Sequence, residues 1–177
     1  GDRFINAYGT VEMLEMDPPE NVAVDEYTRL VTWSAPAGDY IFFDDFDSYT
    51  AGDYLCTQSD DWNPWSNNPG SSDDAMISDA QAHSGANSVL VDDGSASDII
   101  HLFGDLTTGN YDVSIWLYLE PGYGGYYNLL YDFTEWSQDR TTWAQENYFG
   151  NDGTGYTLIG TDNIPFDCPQ GEWFECK

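Results

Sequence analysis

Basic side chains are almost missing from this chain: four Lys and Arg residues stand against 32 Asp and Glu residues, for a formal net charge of −28 over 177 residues. Such a charge repels the phosphate backbone and anionic lipid surfaces, which excludes nucleic acid as a partner. Long apolar runs are missing too, and without about 18 consecutive apolar residues we predict no membrane insertion. The sequence also starts without a signal-peptide pattern, and we expect it to be a fragment of a longer chain.

Cysteine is scarce, and its spacing excludes a metal–thiolate site. Cys56, Cys168 and Cys176 form no C-x-x-C pair and have no His residue nearby at zinc spacing. We expect a disulfide from Cys56 to one of the other two, with the third thiol free or paired outside this sequence.

Patterns that carry catalysis are missing as well. The chain has no Gly-x-Ser-x-Gly elbow, no context for a nucleophilic Cys, and no paired-carboxylate run of the kind that many glycoside hydrolases carry on one strand. Glu135 and Glu146 are possible acid–base partners by residue type alone. We therefore expect no enzymatic activity.

Aromatic residues, in contrast, are abundant: 13 Tyr, 9 Phe and 7 Trp. They favour strands over helices. From residue 40 onward, clusters of Gly, Pro, Asn and Asp separate short apolar segments at a spacing typical of a β-sandwich. The sequence therefore predicts an all-β fold, with strands over 40–46, 75–78, 88–92, 98–103, 109–119, 126–133, 143–148, 155–159 and 172–176. Residues 151–155, Asn-Asp-Gly-Thr-Gly, predict a tight hairpin loop.

The first 39 residues have a different organisation. Residues 1–16 alternate weakly, and we interpret them as the end of a preceding unit. Residues 21–25 and 30–33 predict a short β-hairpin. The segments PPENVAV (18–24) and LVTWSAP (30–36) resemble the opening two strands of a fibronectin type III domain. This resemblance implies a partial fibronectin III-like hairpin or linker over 17–39.

A wider resemblance covers residues 40–177. It is carried by four blocks: DDFDSY (44–49), WNPWSNNPG (62–70), DDAMIS (73–78) and HSGANSV (83–89). These blocks resemble the laminin-G-like and MAM-like modules that recur in bacterial surface proteins exported by type IX secretion. The resemblance implies a concanavalin A-like jelly-roll β-sandwich, truncated at its C-terminal side, in a protein located at the cell surface or outside the cell.

The Asp-rich segments contain the candidate metal ligands. Alternate residues of a strand share a face, so we expect Asp45 and Asp47 to point the same way. Short carboxylates suit a cage for Ca²⁺, which takes six to eight oxygen ligands. The family resemblance implies a structural calcium held by Asp47 together with Asp73 or Asp74. The alternative is that these Asp residues cap turns.

Aromatic side chains crowd residues 116–143. Sugar rings present apolar C–H faces that stack on such rings, and this pattern favours a carbohydrate-binding surface. We predict Tyr123, Tyr127 and Trp136 as the exposed ligand-binding residues. Alternate residues of the long strand, such as Trp116 and Tyr118, are expected in the core.

Together these features indicate a non-catalytic adhesion or carbohydrate-binding module of a larger secreted protein, with a glycan or a surface protein as its partner. Two alternatives stay open. One is a structural subunit of a fibre or stalk, which self-associates when neighbouring chains complete its sheets. The other is an accessory domain of a secreted hydrolase.

Overall fold

The computed structural model describes residues 7–15, 20–24, 31–34, 40–92, 96–104, 106–133 and 141–177. For the first three of these segments it describes the backbone alone. Within these ranges, no helix has the length and hydropathy that crossing a bilayer requires.

The described residues form 14 strands and one turn of 3-10 helix at Leu55–Thr57, so the fold is all-β, as predicted. The strands are β1 (Ala7–Glu15), β2 (Glu20–Val24), β3 (Val31–Ser34), β4 (Tyr40–Asp44), β5 (Trp62–Pro64), β6 (Met76–Ser78), β7 (Ser88–Val91), β8 (Ile99–His101), β9 (Tyr111–Leu119), β10 (Gly125–Phe133), β11 (Thr141–Phe149), β12 (Thr154–Ile159), β13 (Asp162–Asp167) and β14 (Trp173–Cys176).

The largest sheet has six antiparallel strands in the order β14-β9-β1-β7-β6, with β4 also paired to β1. Strand β1 pairs with β9 along its whole length, while its other edge is shared by β7 and β4. The sequence predicts residues 1–16 to be the end of a preceding unit, whereas the structure pairs β1 with β4, β7 and β9 inside this sheet. These partners lie far along the chain, so the weak local alternation of residues 1–16 does not identify them. The division into domains stays a prediction.

The second sheet is an antiparallel meander of four strands, β10-β11-β12-β13. The predicted loop at 151–155 is confirmed as the turn between β11 and β12. Gly153 adopts a positive φ of 84° there, and Asp152 Oδ1 accepts a hydrogen bond from the backbone N–H of Thr154 at 3.1 Å. This turn fixes which residues of β11 and β12 lie opposite each other.

Two small sheets complete the described structure. Strands β2 and β3 pair antiparallel, which confirms the predicted hairpin near residues 21–33. Strands β5 and β8 form the other pair.

All nine strands predicted from residue 40 onward are present, with ends that differ by at most two residues. Strands β5 and β13 were missed. Both contain a proline, Pro64 or Pro165, and proline usually argues against a strand because it has no backbone N–H to donate. Pro165 is tolerated because β13 is the edge of its sheet, where a missing N–H breaks no ladder bond that the sheet needs.

Buried apolar side chains form two clusters. The first core contains Phe46, Leu55, Cys56, Trp62, Ala75, Ile77 and Val89. The second core contains Leu117 and Leu119 of β9, Phe149 of β11, and Cys168. Side chains of the six-stranded and four-stranded sheets therefore pack against each other in the second core, where the rings of Phe149 and Phe174 lie 5.9 Å apart.

The predicted disulfide is wrong, because all three cysteines are free thiols. Cys56 lies in the first core, whereas Cys168 belongs to the second core and Cys176 packs against it. Burial raises the pKa of each thiol, which keeps the sulfur protonated and unreactive.

Candidate functional site

The first pair of predicted metal ligands does not lie on a strand. Strand β4 ends at Asp44, and Phe46 adopts a positive φ of 64°. The backbone N–H of Phe46 donates to Asp44 Oδ1 at 2.9 Å, which stabilises a turn where the sequence predicted a strand. The expectation that Asp45 and Asp47 share a strand face is therefore wrong.

Asp47 instead caps a loop that is distant in sequence. Its Oδ1 accepts hydrogen bonds from the backbone N–H groups of Ala86 at 2.7 Å and Asn87 at 2.9 Å. Gly85 leaves room for this carboxylate: a Cβ at that position would lie 1.4 Å from Asp47 Oδ2. The side chain of Asp47 thus ties the turn after β4 to the segment before β7.

Asp73 and Asp74 hold the loops around the first core. Asp73 accepts hydrogen bonds from the backbone N–H and the hydroxyl of Ser66 at 2.8 and 2.9 Å. Burial acts to raise the pKa of Asp73, but these bonds and one from Ser71 hold it below its ordinary value. Asp74 is buried and accepts from the backbone N–H of Gly70 at 2.8 Å and of Cys56 at 3.1 Å.

Asp45 also accepts a hydrogen bond, from the backbone N–H of Asp47 at 3.1 Å. All four predicted metal ligands therefore act as hydrogen-bond acceptors for turns and loops. Among the residues that the structure describes, no group of three or more His, Cys, Asp or Glu side chains is arranged to hold a metal ion. Calcium stays a prediction from the family resemblance.

Of the predicted ligand-binding residues, Tyr127 faces the second core. Its ring stacks on Phe149 with 6.0 Å between centroids, and its hydroxyl lies 3.1 Å from Cys176 Sγ. Burial raises the pKa of this tyrosine. Tyr127 is thus turned away from the surface on which the sequence analysis placed it.

Tyr123 lies in the turn before β10 and is 39% exposed. Its carbonyl accepts a hydrogen bond from Gln170 Nε2 at 2.9 Å. Trp136 lies outside the described residues. The structure therefore does not bring the predicted trio together on one surface.

A row of tyrosines crosses the opposite, outer face of the same sheet. Tyr126 pairs across strands with Tyr148, and Tyr148 pairs with Tyr156. The ring centroids of both pairs are 4.7 Å apart, with Tyr148 stacked on Tyr156 at 19° and Tyr126 tilted by 54° against Tyr148. We call Tyr126, Tyr148 and Tyr156 the tyrosine row. Each ring is half-buried, so each also keeps a surface towards solvent.

Glu146 organises the polar side of the tyrosine row. Its Oε1 accepts a hydrogen bond from Tyr148 at 2.8 Å and another from Tyr126 at 3.1 Å. Burial and the nearby carboxylate raise the pKa of both tyrosines, so their hydroxyls stay protonated and can donate. Asn128 pairs with Glu146 across strands, which places an amide beside the carboxylate. Rings, hydroxyls, a carboxylate and an amide therefore meet on one face.

Sequence reasoning missed this row by one residue. Successive residues of a strand point to opposite faces, so the choice of Tyr127 in place of Tyr126 selected the inner face. A usable signal was present, because Asp152 of the predicted loop lies four residues from Tyr148 and four from Tyr156. Counting outward from Asp152 places these two tyrosines opposite each other.

A second aromatic group lies on the six-stranded sheet. The ring of His83 stacks on Trp116 with 3.9 Å between centroids and meets Trp173 edge-on at 5.5 Å. Tyr118 packs beside Trp173 at 5.7 Å. Trp116 and Tyr118 are half-buried and do not belong to either core, contrary to expectation. Because His83 covers one face of Trp116, this group offers less ring surface to a ligand.

Comparison with protein-family models, with curated proteins and with solved structures found no match for this chain.

Proposed function

We propose that this chain is a non-catalytic carbohydrate-binding or adhesion module of a larger secreted cell-surface protein, and that the tyrosine row binds a neutral glycan. The observation that carries the proposal is the arrangement of Tyr126 and Tyr148 around Glu146 on an outer sheet face. Aromatic rings contact the apolar C–H faces of a sugar, while the carboxylate accepts from its hydroxyl groups. A few convergent polar groups beside apolar surface are typical of a ligand site.

The geometry supports binding with little loss of conformational entropy. Cross-strand pairing fixes the backbone of all three tyrosines, and two hydrogen bonds hold the Glu146 carboxylate in place. A preorganised site loses less side-chain freedom when the ligand arrives. Tyr126 and Tyr148 contact each other, with 4.7 Å between ring centroids, so a sugar stacks on the solvent-facing surface of the row and not between the rings.

The net charge of −28 selects among glycans. Uronic acids, sulfated sugars and sialic acids carry negative charge, which this surface repels. The proposal is therefore restricted to neutral sugars.

For the fold, we propose a jelly-roll β-sandwich. The support comes from the second core, to which β9 contributes Leu117 and Leu119 from one sheet and β11 contributes Phe149 from the other. Facing antiparallel layers of this kind place the tyrosine row on an outer surface.

The alternative of a fibre subunit has less support. Strand β13 is an edge on which another chain could pair, and its Ile164 is 51% exposed. However, Pro165 lacks a ladder donor, and Asp162 and Asp167 at its ends repel a second copy of this acidic chain.

The proposal is tested on an array of neutral glycans with the wild-type protein and three variants. Tyr148→Ala and Tyr156→Ala each remove one ring of the row, and an aromatic contact is worth on the order of 1 kcal/mol, so we expect Tyr156→Ala to weaken binding about fivefold. We expect Tyr148→Ala to weaken it at least about tenfold, because it also removes one of the two hydrogen bonds to Glu146. Tyr131→Ala is the matched control, because Tyr131 is on β10, is 73% exposed and lies outside the row.

Retained binding in both row variants would contradict the proposal. Equal loss in Tyr131→Ala would also contradict it, because the effect would then not be specific to the row. Circular dichroism of each variant verifies that the sheets are intact.

A further inference from the structure

One face of the six-stranded sheet carries a row of apolar residues that crosses five strands. Cross-strand pairing aligns one large apolar residue from each of β14, β9, β1, β7 and β6, in this order: Trp173, Tyr118, Tyr8, Leu90 and Met76. We call these five positions the apolar row. Neighbouring strands lie about 4.8 Å apart, so the four spacings give the row a length of about 19 Å.

The apolar row lies on the face that points away from both cores. The residues next to it on β9, β6 and β7 belong to the cores: Leu117, Leu119, Ile77 and Val89. Successive residues of a strand point to opposite faces, so the row itself faces outward. Met76 is 39% exposed, and Trp173, Tyr118 and Leu90 are half-buried. The row therefore presents apolar surface to solvent across the sheet.

A carboxylate lies beside the aromatic end of the apolar row. Glu175 is the cross-strand partner of Trp116, and it shares a strand face with Trp173, two residues before it. Glu175 is exposed, and its Oε1 accepts a hydrogen bond from the Ser114 hydroxyl at 2.7 Å, which holds the carboxylate in place. The planar guanidinium group of an arginine stacks on aromatic rings and pairs with carboxylates. Indole rings beside a held carboxylate therefore favour an arginine side chain as the ligand.

Acidic residues border the apolar row on both sides. Glu175 follows Trp173 by two residues, Asp92 follows Leu90 by two residues, and both acids are exposed. Strands β14 and β7 run in opposite directions, because the three pairings that connect them through β9 and β1 are all antiparallel. The two acids therefore lie on opposite sides of the row. Such a surface is complementary to apolar side chains that are flanked by cations.

The charge of the whole chain argues against a second copy as the partner. The net charge is −28, and Lys177 is the only Lys or Arg side chain in the part of the chain that the structure describes, where it pairs with Asp112 at 2.8 Å. A second copy would bring the same negative charge to the row and be repelled. Charge complementarity instead favours a basic partner.

From the exposed row, the held carboxylate and the acidic borders, we infer that the apolar row is a docking surface for a partner protein, which contributes a segment of mixed arginine and apolar residues. The apolar side chains contact the row, while an arginine stacks on Trp173 and pairs with Glu175. A length of about 19 Å accommodates about six residues of extended chain. The inference does not depend on glycan binding by the tyrosine row, which lies on the other sheet.

The test titrates ¹⁵N-labelled protein with synthetic peptides by NMR, at about 0.15 M ionic strength, where long-range attraction is screened. The main probe is a peptide in which arginine and leucine alternate over about eight residues. A second peptide has serine in place of leucine, and a third has glutamate in place of arginine. We expect the arginine–leucine peptide to shift amide signals of β6, β7, β9 and β14 in a saturable manner. It should bind at least about tenfold more tightly than the arginine–serine peptide, and the glutamate–leucine peptide should not bind.

Two variants test the residues of this surface. Glu175→Gln removes the charge but keeps an oxygen for the Ser114 hydroxyl, and Met76→Ser shortens the exposed end of the apolar row. We expect each change to weaken binding of the arginine–leucine peptide at least about fivefold. Asp162→Asn is the matched control, because it removes one exposed negative charge from the other sheet. Its effect on the affinity should stay below about twofold.

The inference is wrong if the arginine–serine peptide binds as tightly as the arginine–leucine peptide, because the net charge alone would then explain the binding. It also fails if no peptide binds the folded wild type saturably, if Glu175→Gln and Met76→Ser both bind as the wild type does, or if Asp162→Asn loses as much affinity as they do. A dimer in sedimentation experiments that Met76→Ser abolishes would overturn it in favour of a second copy.

Tyr148→Ala separates this inference from glycan binding by the tyrosine row. This variant should leave the peptide titration unchanged. A loss of peptide binding in Tyr148→Ala would place the peptide on the tyrosine row and contradict docking on the apolar row.

Discussion

The indole Nε1 of Trp62 donates a hydrogen bond to the Asp44 carboxylate at 2.8 Å, and both side chains are buried. The same carboxylate accepts from the Tyr49 hydroxyl at 2.9 Å and from the backbone N–H of Phe46 at 2.9 Å. A buried carboxylate with three donors is satisfied without a cation. Asp44 therefore connects the end of β4 to the ring that begins β5 in the first core.

Replacing Asp44 by Asn is expected to lower the free energy of unfolding by about 2–3 kcal/mol, because an NH₂ group would face donors that now meet an oxygen. Urea unfolding measures the loss. Asp45→Asn is the control: its one observed hydrogen bond, from the N–H of Asp47, can be made by Asn as well, and we expect a change below about 0.5 kcal/mol. Equal losses in the two variants would show that Asp44 has no special role.

Asp47 and Gly85 are expected to show strong energetic coupling. Alanine at position 85 meets the Asp47 carboxylate, and it must also adopt the positive φ of 58° that Gly85 has. In an Asp47→Ala background the collision disappears and only the backbone strain of about 1 kcal/mol remains. A double-mutant cycle measures this coupling, and additive losses would contradict the contact.

Removal of divalent ions distinguishes the two roles that the sequence allows for Asp73 and Asp74, which are calcium ligation and the capping of turns. Their hydrogen bonds to Ser66, Gly70 and Cys56 require no cation. We therefore expect the same melting temperature in calcium and in a chelator. A lower melting temperature in the chelator would instead support the calcium predicted from the family resemblance.

The contribution of His101 to stability is expected to decrease as the pH falls. Burial lowers the pKa of this imidazole, although its hydrogen bond to the Asp61 carbonyl and the carboxylates of Asp61 and Asp44 act the other way. The unfolded chain binds a proton near pH 6.5, and the folded chain binds it only at lower pH. This contribution is therefore intact above about pH 6.5 and is lost as the pH falls through the lower folded pKa.

Thermal unfolding of the wild type and of His101→Phe, at about pH 7.5 and about pH 5, measures this effect. Phenylalanine keeps an aromatic ring against Phe42, whose centroid lies 3.6 Å from that of His101. The variant should lose less stability between the two pH values than the wild type, since the acidic residues titrate in both proteins. An identical pH dependence would contradict the assignment to His101.

The sequence predicted strands better than it predicted faces and turns. Gly, Asn and Asp clusters mark strand ends through local backbone preferences, so β9, β10 and β12 were located to within a few residues. Strand β13 was not predicted because it contains Pro165. A strand accommodates proline at the edge of a sheet, and only the tertiary structure shows that β13 is an edge strand.

The candidate site was harder to predict because it depends on side-chain direction across three strands. A shift of one residue between Tyr126 and Tyr127 exchanges the outer face for the core, and residue composition does not distinguish the two. The turn after β4 posed a similar problem. The sequence predicts Asp44 to lie within a strand that continues to Phe46. In the structure, the Asp44 carboxylate accepts from the backbone N–H of Phe46, and the chain turns there, so Asp45 and Asp47 do not lie on one strand face.

The most direct test of the central claim is an amide chemical-shift titration of the wild-type protein with the neutral glycan that binds best on the array. We predict that the largest shifts fall on Tyr126, Tyr148, Tyr156 and their neighbours on the outer face, and that Tyr148→Ala requires at least about tenfold more glycan to produce them. Shifts confined to the group around Trp116 and Trp173, or no shift on the outer face at all, would contradict glycan binding by the tyrosine row.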